Sequence, residues 1–237
     1  SNWSDGRNEI EVMARAAMER GYSYMALTDH SQSLTIAGGL TPERFKARSV
    51  EIDRVNSALS GFRILGGAEV DILPDGTLDL PGDCLESLEV VVASVHTALD
   101  QPRDVITRRV IEAMRSPHVD VIAHPTSRRL DRRGETNLDI EAVIAEAVRT
   151  GTALEINSSP MRLDLNDGWA RRAREAGVML AIDTDAHYPV EFDAARFGCA
   201  IARRAGLTPE RVLNTRDAEG VLSHCRAKGA RETAHFR

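Results

Sequence analysis

The sequence predicts an α/β fold: a barrel-like sheet of parallel strands, each followed by a helix. Three observations carry it. Short apolar runs alternate with stretches of helical periodicity along the chain. Apolar residues make up 42% of the chain but aromatics only 4%, so the core is built from Ala, Val, Ile and Leu, as in a sheet covered on both faces. Polar residues also close nearly every strand, which is expected when all strand ends surround one shared site. An open doubly wound sheet, the alternative, gathers ligands mainly at a switch point.

In order, Ile10, Val12, Met13, Ala16 and Ala17 recur at helical spacing within Glu9–Arg20, and Gly21 stops the helix. The strand that should feed this helix is therefore expected upstream of residue 1. Tyr24–Thr28 reads as a strand ending at Asp29 and His30. Thr41, Pro42 and Glu43 supply a cap, a first-turn proline and an acidic first turn for a helix to about Ser60. Ile64–Val70 is a strand, followed by a hairpin-like segment turning at Pro74, Asp75 and Gly76.

Val90–Ser94, Val119–Ala123, Thr152–Ile156 and Val178–Ile182 are the remaining strands. Helices are expected at Asp104–Arg115, Leu138–Thr150 and Asp167–Ala176, around Phe192–Ala205 and at Pro209–Lys228, with a mobile tail at Arg231–Arg237. Six strands are visible and a seventh is implied at the front, enough to close or nearly close a barrel with right-handed crossovers. No repeat, low-complexity tract or linker interrupts the chain, so residues 1–237 read as one domain.

A net charge of -6 argues against gripping nucleic acid through an overall positive field. No apolar run reaches the roughly 20 residues that cross a bilayer, and no basic-then-apolar leader opens the sequence, so no membrane is involved. Cys84, Cys199 and Cys225 are odd in number and lack CxxC spacing, which fits a reducing, cytoplasmic setting. Lys46 and Lys228 are the only lysines, and Arg128, Arg129, Arg132 and Arg133 crowd the segment after the fourth strand. The planar fork of arginine suits phosphate oxygens.

The stretch Val178–His187, VMLAIDTDAH, shows the recurring pattern: an apolar strand stops and releases Asp185 and His187 together. His30, Glu69, His96 and His124 stand at or near other strand ends, and Asp5 precedes the first helix. Each alone has an ordinary explanation as a cap, a packed histidine or an ion-pair partner. Jointly they form a metal-ligand set, whose imidazole and carboxylate mixture suits zinc, manganese or iron(II) and whose size implies two or three ions. His118, His224 and His235 fall elsewhere and read as structural or exposed. No GxGxxG, P-loop, HExxH or GxSxG is present, DILPDG lacks the ligands of a calcium loop, and no Cys stands beside a His at a strand end.

The segments LTDH, GAEVDILPDGTLDLP, ASVH, VIAHPTSRRLDRR, ALEINSSPMRLDLND and DTDAH, in this order, resemble the PHP (polymerase and histidinol phosphatase) domain. More narrowly they resemble the PHP domain at the C-terminal end of bacterial family X DNA polymerases, through EVDILPDGTLD, the Arg-rich run and PMRLDL. The resemblance implies a distorted (β/α)7 barrel of PHP type, its first strand ending in His-x-His just before Ser1. It also implies a cluster of two or three divalent ions, manganese or zinc with iron as an alternative.

The ligand positions so implied are Asp5, His30, Glu69, His96, His124, Asp185 and His187, with Glu69 bridging ions and Glu69, His124 and Asp185 nearest the chemistry. The implied activity is phosphoester hydrolysis, as 3'–5' exonuclease and 3'-end processing of DNA in repair, with DNA 3' ends and the preceding polymerase domains of the same chain as partners. Arg128 and Arg162 are expected to clamp phosphate, and Asp29 to orient a ligand. Ser158 and Ser159 depart from the small or amide residues often found after the Asn. The rival readings are a histidinol-phosphatase-like small-molecule phosphatase and a non-catalytic module that positions polymerase domains.

Overall fold

A computed structural model describes the backbone of residues 1–235 and side chains through Lys228. Strands and helices alternate as α1 (Ile10–Glu19), β1 (Tyr24–His30), α2 (Pro42–Ala58), β2 (Arg63–Asp71), α3 (Gly82–Glu86) and β3 (Val90–Ser94). They continue as α4 (Arg103–Met114), β4 (Val121–Ile122), α5 (Ile140–Thr150), β5 (Ala153–Asn157), α6 (Asp167–Ala176), β6 (Leu180–Asp183), α7 (Ala195–Arg204) and α8 (Ala218–His235). Caps follow from side-chain chemistry. Thr41, Asp139 and Asn166 each accept from a first-turn N–H, and Gly151 and Gly177 end α5 and α6 in the left-handed region.

All six strands are parallel and neighbours in sequence are neighbours in the sheet, from β1 to β6. The curled sheet is the partial barrel expected, with β1 and β6 as its edges and a cavity between them lined by Met25, Ala26, Ala181 and Ile182. The largest core cluster lies between the sheet and its helices, combining Val70, Val91, Ala93 and Ile156 with Ile106, Val110, Ile144 and Ala173. A second packs Leu65, Val90, Val121, Ala153 and Ala181, one from each of five strands, against Val221, Leu222 and Cys225 of α8. That helix plugs the end of the barrel away from the C-terminal strand ends. The buried Lys228 pins it there by donating to Met114 O at 3.2 Å and Ser116 O at 2.8 Å.

Four expectations change. The short α3 was not anticipated. β4 is two residues long, Val121–Ile122, rather than the five of Val119–Ala123, and the chain turns away past it at His124, whose φ is +27°. The helix expected over Pro209–Lys228 is broken into two 3₁₀ turns, Pro209–Arg211 and Leu213–Thr215, before α8. There Val212 bridges Leu180 at the edge of β6 and the Asn214 side chain takes both backbone groups of Ile182, which a continuous helix would forbid. The tail expected at Arg231–Arg237 is helical to His235, and residues 236–237 lie outside those described.

One buried ion pair ties the sheet to α2. Arg48, on the inward stripe with Phe45, Ile52 and Val55, donates to Asp29 Oδ2 at 2.9 Å and to Gly67 O, bracing the end of β1 next to His30. Removing one partner of a buried pair leaves the other charge uncompensated. Arg48→Ala should therefore lower unfolding free energy by about 3 kcal/mol, read from urea midpoints, and the combined Arg48→Met, Asp29→Asn change should recover most of it.

Candidate metal centre

The parallel register sets His30 of β1 directly opposite Glu69 of β2, both with side chains at the C-terminal strand ends. Glu69 is the hub. Its Oε1 lies 3.2 Å from His124 Nε2 and 3.4 Å from His96 Nε2, and its Oε2 lies 3.5 Å from His30 Nδ1. His30 Nε2 is 3.6 Å from Asp5 Oδ2, which is in turn 3.2 Å from His187 Nε2. Asp185 closes the ring, with Oδ1 3.9 Å from His187 Nδ1. All seven expected ligands line one cavity of about 450 Å³. Ligand atoms of Asp5, His30 and His187 fall within 4.8 Å of one another, as do those of His30, Glu69 and His96, so His30 is shared by two overlapping sites.

No protein-family model matches the chain. It is 47% identical over 221 residues to the DNA polymerase/3'-5' exonuclease PolX of Bacillus subtilis (strain 168), covering 93% of the chain and 39% of that protein. It is 35% identical over 218 residues to a probable phosphatase of Thermoanaerobacter sp. (strain X514), covering 87% of the chain and 83% of the relative. A crystal structure of histidinol phosphate phosphatase from Lactococcus lactis, complexed with zinc, L-histidinol and phosphate, shares the fold. It aligns with a TM-score of 0.58 at 14% identity, over 88% of this chain and 92% of that one. The chain belongs to the PHP domain family. It thus spans well under half the length of the PolX relative and most of the phosphatase.

In this PHP domain the candidate ligands are oriented by further groups. His96 Nδ1 lies 2.7 Å from Asp71 Oδ1 and 3.2 Å from Ser94 Oγ, while His187 Nδ1 donates to Asp185 O at 2.8 Å. Such partners fix the tautomer and aim the other nitrogen at the cavity. Beneath them lie two carboxyl groups the sequence reading missed, Glu155 and Asp183. Glu155 accepts the backbone N–H of His124, and Asn157 donates to Asp185 Oδ2 at 3.2 Å. Burial first, and then the negative charge of neighbouring carboxylates, pushes both carboxyls up, Asp183 to about 7. A charged residue inside the fully buried strand ALEIN was the available signal for Glu155.

His124 and Asp185 both have positive φ, +27° and +51°, a conformation that non-glycine residues adopt at a cost of about 1–3 kcal/mol when the surroundings demand it. Arg162 enters the cavity, with Nε 3.6 Å from Asp185 Oδ2 and a buried Nη1 that has no hydrogen-bond partner. Arg128 does not enter. Its guanidinium donates to Arg162 O at 2.7 Å and to Leu163 O and lies 3.8 Å from Glu135, which braces the neighbouring loop instead of presenting it to a phosphate. Arg129, one residue on, lines the cavity in its place. His118 stands ahead of β4 and His224 on α8, outside the cavity, while the His235 side chain lies beyond those described.

The residues fit divalent metal ions. Imidazole nitrogens and carboxylate oxygens converge, and the buried His30 Nδ1, His124 Nδ1 and Asp71 Oδ2 have no hydrogen-bond partner among the described residues. Their protonation in the absence of metal is set locally. Burial would raise the Glu69 carboxyl, but His30, His124 and His96 outweigh it and hold Glu69 well below the usual range. Burial keeps His124 below its ordinary value and neutral. His96 is raised to about 10, because hydrogen bonds to Asp71 and Glu69 outweigh its burial penalty. His187 is raised to about 9, chiefly by Asp5.

Metal must displace the protons on His96 and His187, since a ligating imidazole is neutral. Below both values the protons compete, and the competition fades as pH rises through them. Each of the two overlapping groups holds one of these imidazoles, so apparent Mn²⁺ affinity per ion, measured by calorimetry, should increase by about tenfold per pH unit between roughly pH 6.5 and 8.5. A pH-independent affinity would contradict this.

Proposed function

We propose that this PHP domain hydrolyses phosphoesters with bound divalent cations, and that its substrate is the 3' end of DNA, shortened in the 3'-to-5' direction. One observation carries the reading: Arg162, whose buried Nη1 has no hydrogen-bond partner among the described residues, lines the same cavity as the seven candidate metal-ligating side chains. An anion-recognising fork beside a multi-cation site matches the charge of a phosphodiester. Divalent ions held by Asp5, His30, Glu69, His96, His124, Asp185 and His187 would supply Lewis acidity toward phosphoryl oxygens and water. Manganese and zinc both suit this donor set, with iron(II) as the further alternative.

The chain's own residues do the rest. Glu69 keeps a negative charge at the centre of the imidazoles, the neutral His124 offers a lone pair, and Asp185 holds Arg162 within reach of the substrate anion. Arg129 adds a second cation at the rim. The PolX relative supports DNA as substrate and polymerase domains of the same chain as partners. A small-molecule phosphatase is the second reading, favoured by the probable phosphatase of which 83% is matched. A purely positioning module is disfavoured by the seven candidate donors that line one cavity.

The two enzymatic readings separate on 5'-labelled single-stranded DNA against glycerol phosphate, each with Mn²⁺. Stepwise shortening of the DNA is expected, abolished in His124→Ala, with kcat/KM lowered roughly a hundredfold in Arg162→Ala. Phosphate release from the small ester with DNA left intact would assign the second reading. Equal turnover by His124→Ala would reject the cluster altogether.

A further inference from the structure

The cavity is not polar throughout. Ile36 is 95% exposed and Met161 42% exposed, and both line it together with the half-buried Leu34. A lone exposed apolar residue is unremarkable, but two on separate loops, after β1 and after β5, that line the cavity of the candidate ligands give its rim apolar surface.

Ile36 is held there by a loop with little freedom. Leu34 N–H donates to Ser31 O at 3.2 Å, Gly39 N–H to Leu34 O at 3.2 Å and Leu40 N–H to His30 O at 2.7 Å, closing residues 31–40 on themselves. Ser33 N–H and Gln32 Nε2 tie the loop to Asp79 at 2.8 and 2.6 Å. A Cβ on Gly39 would lie 1.9 Å from Ser31 O, so the chain passes too close for any side chain there. On the other loop, Arg129 Nη2 lies 3.6 Å from Met161 Sδ, which places a guanidinium against the thioether.

Anion-recognising Arg162, the ligand cluster and an apolar shelf with a guanidinium beside it thus share one cavity of about 450 Å³. A substrate that fits all three carries a phosphate and a flat, weakly polar ring. We propose that Ile36 and Met161 form the shelf that takes the base of the 3'-terminal nucleotide, which makes them specificity-determining residues. This rests on the DNA reading above. Apolar contact with the face of a base does not read its hydrogen-bonding edge, so the shelf selects nucleotides over small phosphoesters without selecting sequence.

The test compares two single-stranded oligonucleotides of identical length, one ending in a normal 3' nucleotide and one in a tetrahydrofuran residue that lacks the base. Binding is measured by fluorescence anisotropy in EDTA with the metal-free 237-residue chain, and KM in Mn²⁺. The normal end should bind about tenfold tighter, equivalent to about 1.4 kcal/mol. That ratio should fall toward one in Ile36→Ser and in Met161→Ser, in both readouts, and be kept in Ile36→Leu. A ratio near one in the unmodified chain, or a ratio unchanged in both serine variants, overturns the shelf while leaving DNA hydrolysis standing. Failure to bind or cut either oligonucleotide, with glycerol phosphate still hydrolysed, overturns both the shelf and the DNA reading.

Discussion

A single buried carboxylate, Glu69, faces three imidazoles with its two oxygens, and the site depends on that arrangement. It follows from strand register. With β1 and β2 parallel and His30 opposite Glu69, side chains from the two strands emerge at the same height, and a slip of one residue would send Glu69 to the other face of the sheet. His96 and His124 lie just past the ends of β3 and β4, so neighbouring strands deliver neighbouring ligands. The plug of α8 at one end of the sheet and the ligands at the other divide the barrel into a part that contributes stability and a part that carries chemistry.

Desolvation explains why the rest of the site is so densely braced. A carboxylate buried without partners would take up a proton, and Glu69 avoids this only through its imidazoles, whereas Glu155 and Asp183 below are both pushed upward. Glu155 of that lower pair accepts the backbone N–H of His124, whose φ is unusual, and Asn157 restrains Asp185 from the same strand, β5. Arg48 does the equivalent work beneath His30 by neutralising Asp29. The ligands therefore stand on elements whose positions are set by buried charge pairing.

The convergence of these side chains was legible in the sequence because the candidate ligand positions coincide with abrupt ends of apolar runs. ALTDH, VVASVH and VDVIAHP each mark a strand and its ligand together, and Asp167–Ala176 has the bounds its caps predict. What escaped depended on neighbours distant in the chain. Arg48 sits at the spacing of Phe45, Ile52 and Val55, an apolar stripe that should have marked it as buried, but nothing local names Asp29 as its partner. Glu155 interrupts the apolar run of β5 but does not end it, so it carries none of the strand-end signal that marks the other acidic and histidine residues. Arg128 and Arg129 are adjacent, and only the turn that bridges Arg129 to Arg133 decides which of them faces the cavity. The end of the chain was misread because Asn214 pairs with the edge of β6, a tertiary contact that overrides helical periodicity.

The measurement that bears most directly on the hub is metal content by mass spectrometry after reconstitution with Mn²⁺, compared between the unmodified chain and Glu69→Ala at matched folding by circular dichroism. Two or three equivalents are expected in the unmodified chain, with at least one lost in the variant. Retention of the full complement by a folded Glu69→Ala protein would contradict the account.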